Sequence, residues 1–303
     1  MPFLAGLVPV FLLIAVGVGC RQLRLLDERS AQGLNRLVAS VALPALLLLK
    51  VGTAPLEVSF SGKVTAVTSL LTPTIAVLAL VLASLLGLPR AQRGALAQAS
   101  MWGNLAYVAF PIVLAVAGES GLQQAAVTCA ILIPLQNLVA VAVLETNRRE
   151  TRVDGKTVAR ILVNPIVISA LLGLSLAAAS WRPWGWLAGT LEVLANFALP
   201  GALLALGAQL EPARVPRVWR AAVIATVLKL LVMPLSCLLL LRLLSASSSE
   251  TLVAVLLLAA PSAVSSYSVA AGRGGDLDVA GACVVLTTAV AVPGYFVWVL
   301  LLG

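Results

Sequence analysis

Ten apolar stretches run along the chain, and each carries a proline: Pro9, Pro44, Pro73, Pro111 and Pro134, then Pro165, Pro200, Pro234, Pro261 and Pro293. The second five follow the first five at offsets of 156, 156, 161, 150 and 159 residues, about half the chain length. A proline inside a helix removes one backbone hydrogen bond and obstructs another, so ten of them in a kept register predict two five-helix halves of common descent. An odd number of crossings per half turns the second half upside down in a bilayer. Inverted repeats with interrupted hydrophobic segments are an arrangement of secondary transporters.

Composition decides the solvent. Hydrophobic residues make up 61% and charged residues 11% of the chain, against roughly 45–50% and about 25% in soluble domains. A bilayer core about 30 Å thick takes roughly 20 apolar residues per helix. Ten spans therefore consume most of the 303 residues and leave short loops and no separate soluble domain. The expected spans are 3–20, 31–50, 64–88, 97–118, 121–145, 160–180, 187–209, 220–243, 251–272 and 277–302. They form one membrane domain over 1–303, with a first repeat over 1–145 and a second over 160–303. No Lys or Arg precedes the first span, whereas Arg21 and Arg24 follow it; that order suits a retained helix better than a signal peptide.

Basic residues then orient the chain. Loops after odd-numbered spans hold fourteen Lys or Arg, among them Arg21, Arg90, Arg152, Arg217 and Arg273, and loops after even-numbered spans hold four, Lys50, Lys63, Arg182 and Arg242. Both termini are expected outside the plasma (inner) membrane. The net charge of +8 is an orientation signal, and no basic domain supports a nucleic-acid partner.

Other chemistries are poorly supplied. There is no histidine, which excludes zinc-protease and Ser-His-Asp arrangements. No pair of aspartates lies inside an expected span. Cys20, Cys129, Cys237 and Cys283 are scattered singly and read as small buried hydrophobes, with no disulfide framework or metal spacing. Neither an enzyme, a metal site nor a cofactor is expected.

The fourth and ninth spans carry the most specific pattern. The fourth runs Met101-Trp-Gly-Asn104-Leu-Ala-Tyr107-Val-Ala-Phe-Pro111 and ends at Gly118-Glu-Ser-Gly121. The ninth runs Ala260-Pro261-Ser262-Ala-Val-Ser265-Ser266-Tyr267-Ser268 and ends at Gly272-Arg-Gly-Gly275. Each joins a proline to amide or hydroxyl side chains and finishes in glycines. Polar groups beside a proline can re-satisfy the backbone atoms it frees, or hold a ligand. The halves also align directly: Val41-Ala-Leu-Pro44 faces Phe197-Ala-Leu-Pro200, Gly17 faces Gly173, and Arg36 falls opposite Glu192.

On these residues the chain resembles the auxin efflux carrier family, whose plant members export auxin and whose bacterial members include malonate and malate permeases; the bacterial type is the nearer. The resemblance runs through Asn104, Pro111 and Gly118 at intervals of seven, Asn164-Pro165 with Gly173, Leu199-Pro200 followed by Leu206-Gly-Ala-Gln-Leu210, Lys229-Leu-Leu-Val-Met-Pro234 and Ala260-Pro261-Ser262-Ala263. It implies an architecture similar to the bile acid/sodium symporters, with a scaffold of spans within 3–50 and 160–209 and a mobile transport domain of spans within 64–145 and 220–302. It also implies that interrupted helices 4 and 9 cross at mid-membrane beside the substrate, and that the scaffold forms a homodimer. Asn104, Pro111 and Pro261 match the family pattern. Ser266 stands where the plant exporters have a second proline, and the link after Glu145 is about 14 residues, far shorter than theirs.

If both helices break at mid-membrane, the second half of each starts there with unpaired N–H groups and a positive dipole end. Together with the Asn104 amide, Ser262 and the Ser265 and Ser266 hydroxyls, these ends suit a carboxylate, so a small organic anion is the expected substrate. Tyr267, Asn137 and Asn196 complete the candidate binding set. Lys229, deep in the eighth span, either balances substrate charge or holds the helices together, and Gln136 beside Asn137 is an interhelical contact or a substrate ligand. Glu192 and Asp278 are the candidates for a coupling role. The chain is thus expected to be an all-α secondary carrier working by elevator-like alternating access, with a sodium-coupled symporter and a non-transporting membrane sensor or assembly subunit as the competing readings.

Overall fold

The computed structural model describes residues 2–147, 163–210 and 212–302. Among them every regular element is helical. We number the helices α1 Pro2–Gln22, α2 Glu28–Gly52, α3 Gly62–Leu85, α4 Arg90–Met101, α5 Leu105–Thr146, α6 Pro165–Ala178, α7 Gly185–Gln209, α8 Trp219–Leu243, α9 Ser248–Leu258, α10 Ser265–Gly272 and α11 Leu277–Leu302. Six of them, α2, α3, α5, α7, α8 and α11, are long and apolar enough to cross a membrane. The apolar segments Leu7–Gln22, Pro165–Ala178 and Ser248–Leu258 are shorter. The start of the expected sixth span and the basic residues Arg148, Arg149, Arg152, Lys156 and Arg160 lie outside the described residues.

Helix ends follow local chemistry. Asp27 caps α2 by accepting the Ser30 N–H at 2.7 Å, and that bond holds its carboxyl below the ordinary carboxylate range. Asn164 accepts from Ile166 and precedes Pro165, so Pro165 occupies a first-turn position where its missing N–H costs nothing. Ser247 and Glu250 form a reciprocal capping box at the start of α9. The expected fourth and fifth spans are fused in the long α5, which turns at Gly118 with φ 66° and ψ −164°, a backbone conformation that only glycine adopts without strain.

The interior prolines meet two fates. Pro44, Pro111 and Pro234 each follow a single wide turn of π type, over Val38–Ala42, Leu105–Ala109 and Leu228–Val232. A wide turn lets the chain pass the pyrrolidine ring by inserting a residue into the ladder. In α8 it releases the carbonyl four residues before Pro234: Leu230 accepts instead from the Trp298 indole N–H at 3.2 Å. Pro9, Pro73, Pro134, Pro200 and Pro293 lie within continuous α-helix. Pro44 and Pro200, paired by the 156-residue offset, thus sit in different local backbones.

Packing divides the chain into two compact units. The first comprises Met1–Gly62, Ala106–Ile131 and Leu162–Gln209. Here α1 packs on α7 and α2 packs on α6 and α7. Contact is backbone to backbone where α1 meets α7: a Cβ on Gly17 would lie 2.4 Å from the Leu204 carbonyl oxygen, and one on Gly207 would lie 2.1 Å from that of Ile14. Small residues allow such approach, and in a bilayer the resulting van der Waals contact drives helix association. Gly173 does the same for α6, where a Cβ would come within 2.9 Å of Val51 Cβ.

The second unit comprises Lys63–Leu105, Leu132–Ile161 and Leu210–Gly303. In it α8 packs on α4, α9 and α11, while α4 and α10 also pack on α11. Threonines in α3 bond back to their own helix, Thr68 to Val64 and Thr72 to Thr68, which hides hydroxyls on a buried face. The second unit contains both interrupted segments described next.

Candidate functional site

Within the second unit, α4 stops at Met101 and helix resumes at Leu105; α9 stops at Leu258 and helix resumes at Ser265. The two gaps bond to each other. Asn104 N–H donates to the Pro261 carbonyl at 2.7 Å, Ala263 N–H donates to the Trp102 carbonyl at 3.0 Å, and Gly103 pairs with Ser262 as a one-residue antiparallel bridge. Proline explains one side of this link: Pro261 has no N–H to continue the α9 ladder, yet its carbonyl is an excellent acceptor.

Side chains meet further backbone groups in the gaps and at the helix ends beside them. Ser262 N–H donates to the Thr287 hydroxyl at 2.9 Å, and the Ser262 hydroxyl donates to the Ala99 carbonyl at 2.7 Å. Gln136 from α5 donates to the Met101 carbonyl at 3.3 Å. Tyr295 from α11 donates to the Leu256 carbonyl at 3.1 Å, and Lys229 from the wide turn of α8 donates to the Leu258 carbonyl at 2.7 Å. A buried, unpaired polar group costs about 1–3 kcal/mol, so these bonds hold the irregular main chain at low cost.

Against that satisfied backbone, a few side-chain atoms stand out. Asn104 is 6% exposed, and its amide nitrogen has no hydrogen-bond partner. The Ser266 hydroxyl and both amide atoms of Gln98 are likewise buried without partners, as is the Gln136 carbonyl oxygen. Asn104 presents N–H donors and Ser266 an O–H donor, a complement for an anionic oxygen.

The sequence-predicted residues fall in different places. Asn104, Pro261, Ser262, Ser265, Ser266, Tyr267, Asn137, Lys229 and Asp278 belong to the second unit. Pro261 and Ser262 form the link itself, and Ser262 spends both polar groups on it. Ser265 is exposed at the start of α10, Ser266 is buried, and Tyr267 is half-buried against Leu144, Ala270 and Ala280. Asn137 bonds back to the Ile133 carbonyl at 2.8 Å, an arrangement that occupies one amide proton within its own helix. Asp278 stands at the start of α11, 3.8 Å from Arg217.

Pro111, Asn196 and Glu192 belong to the first unit. Pro111 is buried next to the wide turn that carries Tyr107, whose hydroxyl donates to the Asn35 side-chain oxygen at 2.8 Å. Glu192 and Asn196 are exposed and four residues apart on one face of α7. Sequence reasoning did not single out Gln98, Thr287, Tyr295 or Asn35. Asn35 and Gln98 lie in polar-rich stretches and Thr287 and Tyr295 in an apolar one, and no motif sets any of them apart. Among the described residues no group of three or more His, Cys, Asp or Glu is arranged to hold a metal ion.

A family model described as "membrane transport protein", the auxin efflux carrier-type family, matches residues 2–299. The chain belongs to this family. Membership together with the six long apolar helices makes it an integral membrane transport protein. A comparison with curated proteins finds no match. For a membrane transport protein, backbone that leaves helical geometry is tolerated only where it is buried in protein or lines a cavity, and the gap pair at 102–104 and 261–263 is the place in the second unit where both conditions of main-chain satisfaction and leftover donors meet.

Proposed function

We propose that this membrane transport protein is a secondary carrier of a small organic anion, an auxin-like or a malonate- or malate-like carboxylate. The observation that carries the proposal is the buried Asn104 amide, unpartnered beside a pair of helix gaps whose main chain is bonded. Helix starts follow both gaps, at Leu105 and Ser265, and helix starts favour negative charge. Ser266 supplies a further donor, with Ser265, Tyr267, Asn137 and Asn196 as secondary candidates. In this reading ten crossings form two inverted repeats, a scaffold of spans within 3–50 and 160–209 and a transport domain within 64–145 and 220–302 move against one another to give alternating access, and two copies associate through the scaffold. Support for the repeat comes from Gly17 and Gly173, equivalent by the 156-residue offset and both at close helix contacts.

Ligand-induced stabilisation tests the substrate class. The purified protein is melted in a panel of mono- and dicarboxylates at matched pH and ionic strength. At least one is expected to raise the melting temperature saturably, because a ligand at a hundred times its Kd stabilises by about 2.7 kcal/mol. A flat response to all carboxylates, with a saturable response to cationic or neutral solutes, removes the anion reading.

Orientation has its own test. The excess of basic residues after odd-numbered spans supports a reading with both termini outside the plasma membrane and Arg152 in the cytoplasm. A reporter active only in the cytoplasm is expected to work when inserted near Arg152 and to fail at either end. Activity both at the N-terminus and near Arg152 means that the number of crossings between them differs from five.

A further inference from the structure

The C-terminal carbonyls of α4 and α9 form the negative ends of two helices brought together in the second unit. An accumulation of carbonyl dipoles of this sort attracts a cation. The nearest fixed one is Lys229. It is fully buried, and three contacts define its position. Its Nζ donates to the Leu258 carbonyl, the last residue of α9, at 2.7 Å, and lies 3.6 Å from the Met233 sulfur. On its other side it reaches the α4 gap: a Cβ built on Gly103 would stand 3.2 Å from Nζ. The amine is therefore wedged between the end of one interrupted helix and the bare α-carbon of the other.

Its neighbours leave it this task. Ala99, Met101 and Trp102 carbonyls at the end of α4 are taken by Ser262, Gln136 and Ala263, and Leu256 and Leu257 carbonyls in α9 are taken by Tyr295 and Ala260. Leu258 is left for the lysine. The wide turn at Leu228–Val232, forced by Pro234, is the stretch of α8 that carries Lys229, and Trp298 occupies the carbonyl which that proline releases. Among the described residues no carboxylate forms a salt bridge with the amine, which faces the Leu258 carbonyl and the Met233 sulfur.

We infer that the Lys229 amine is a built-in brace between the end of α9 and the α4 gap, donated by the protein itself, and that it makes the assembly of this unit independent of sodium or potassium. Gly103 is the companion requirement, since any side chain there meets Nζ. The inference concerns the frame around the gaps and holds whichever solute is carried. It favours the organic-anion carrier over the sodium-coupled alternative.

Melting of the purified protein tests it without any transport assay. Wild-type protein is expected to melt at the same temperature in sodium, potassium and choline chloride at one ionic strength. Lys229→Met, which keeps an unbranched chain one atom shorter and loses the charge, is expected to lower the melting temperature by about 5 °C or more. Lys229→Ala, which also vacates the side-chain volume, is expected to regain part of its loss in propylammonium chloride, saturably, with no such gain for wild type. Gly103→Ala is expected to destabilise the wild type more than the Lys229→Met variant, because the added methyl meets the amine. A saturable sodium stabilisation of wild type overturns the inference, as does a Lys229→Met protein as stable as wild type. Should Lys229→Ala yield no folded protein, the sodium titration and the Gly103 cycle decide. A failed carboxylate screen leaves all of these readings unchanged.

Discussion

Gly207→Ala is expected to cost this protein its folded first unit, although it adds a single methyl group. The new Cβ would lie 2.1 Å from the Ile14 carbonyl oxygen, 2.9 Å from the Val18 nitrogen and 3.0 Å from the Gly17 α-carbon. All three are backbone atoms of α1, so no side chain can rotate away and the two helices must separate along their contact. Ordinary overpacking costs about 1–3 kcal/mol, and rigid backbone places this case at or above the upper end. The measurement is the melting temperature and the monodisperse fraction after solubilisation, with Gly189→Ala on the same helix as the control, since a Cβ at Gly189 meets nothing within 4 Å. Equal behaviour of the two variants sinks the packing argument.

Asn104→Ala is expected to abolish uptake of the native anion while leaving the fold nearly intact. Folding is spared because the structural bond at this position is made by the Asn104 backbone N–H to Pro261, which alanine retains. The lost amide nitrogen has no partner in the protein, so its removal leaves no protein acceptor stranded. Asn104→Asp is expected to be as damaging, because a carboxylate there repels an anionic substrate. Uptake into proteoliposomes, normalised to reconstituted protein, reads the effect, and the melting temperature reads the fold. Near-wild-type uptake in both variants takes Asn104 out of the binding site and leaves the helix gap as a packing device.

The apolar runs and their prolines make the helical, membrane-spanning character of this chain legible, and the polar cluster around Asn104 and Pro261 marks where helices are interrupted. Gly118 was equally readable: a glycine closing a polar-ended run became the positive-φ turn in α5. The wide turns were not. Nothing in the residues around Pro44 or Pro234 distinguishes them from Pro200, which continues in α-helix; at Pro234 the displaced Leu230 carbonyl accepts from the Trp298 indole N–H, a contact from a distant helix. Individual roles were also hidden. Ser262 resembles its serine neighbours in sequence, yet its hydroxyl is spent on the Ala99 carbonyl and its amide on the Thr287 hydroxyl, whereas the Ser266 hydroxyl is buried without a partner and Ser265 faces outward. Lys229 appeared either as a substrate counter-charge or as a brace, and the choice needed the distance to Leu258.

The paired backbone bonds at Trp102–Asn104 and Pro261–Ala263 tie the segment after α4 to the segment after α9, while the Ser266 N–H donates to the Ala263 carbonyl and so bonds the second segment to α10 as well. The joint between the two interrupted segments is therefore made sideways, between stretches far apart in sequence. Because the tie is made of main-chain atoms, the Asn104 side chain can be exchanged without removing either bond.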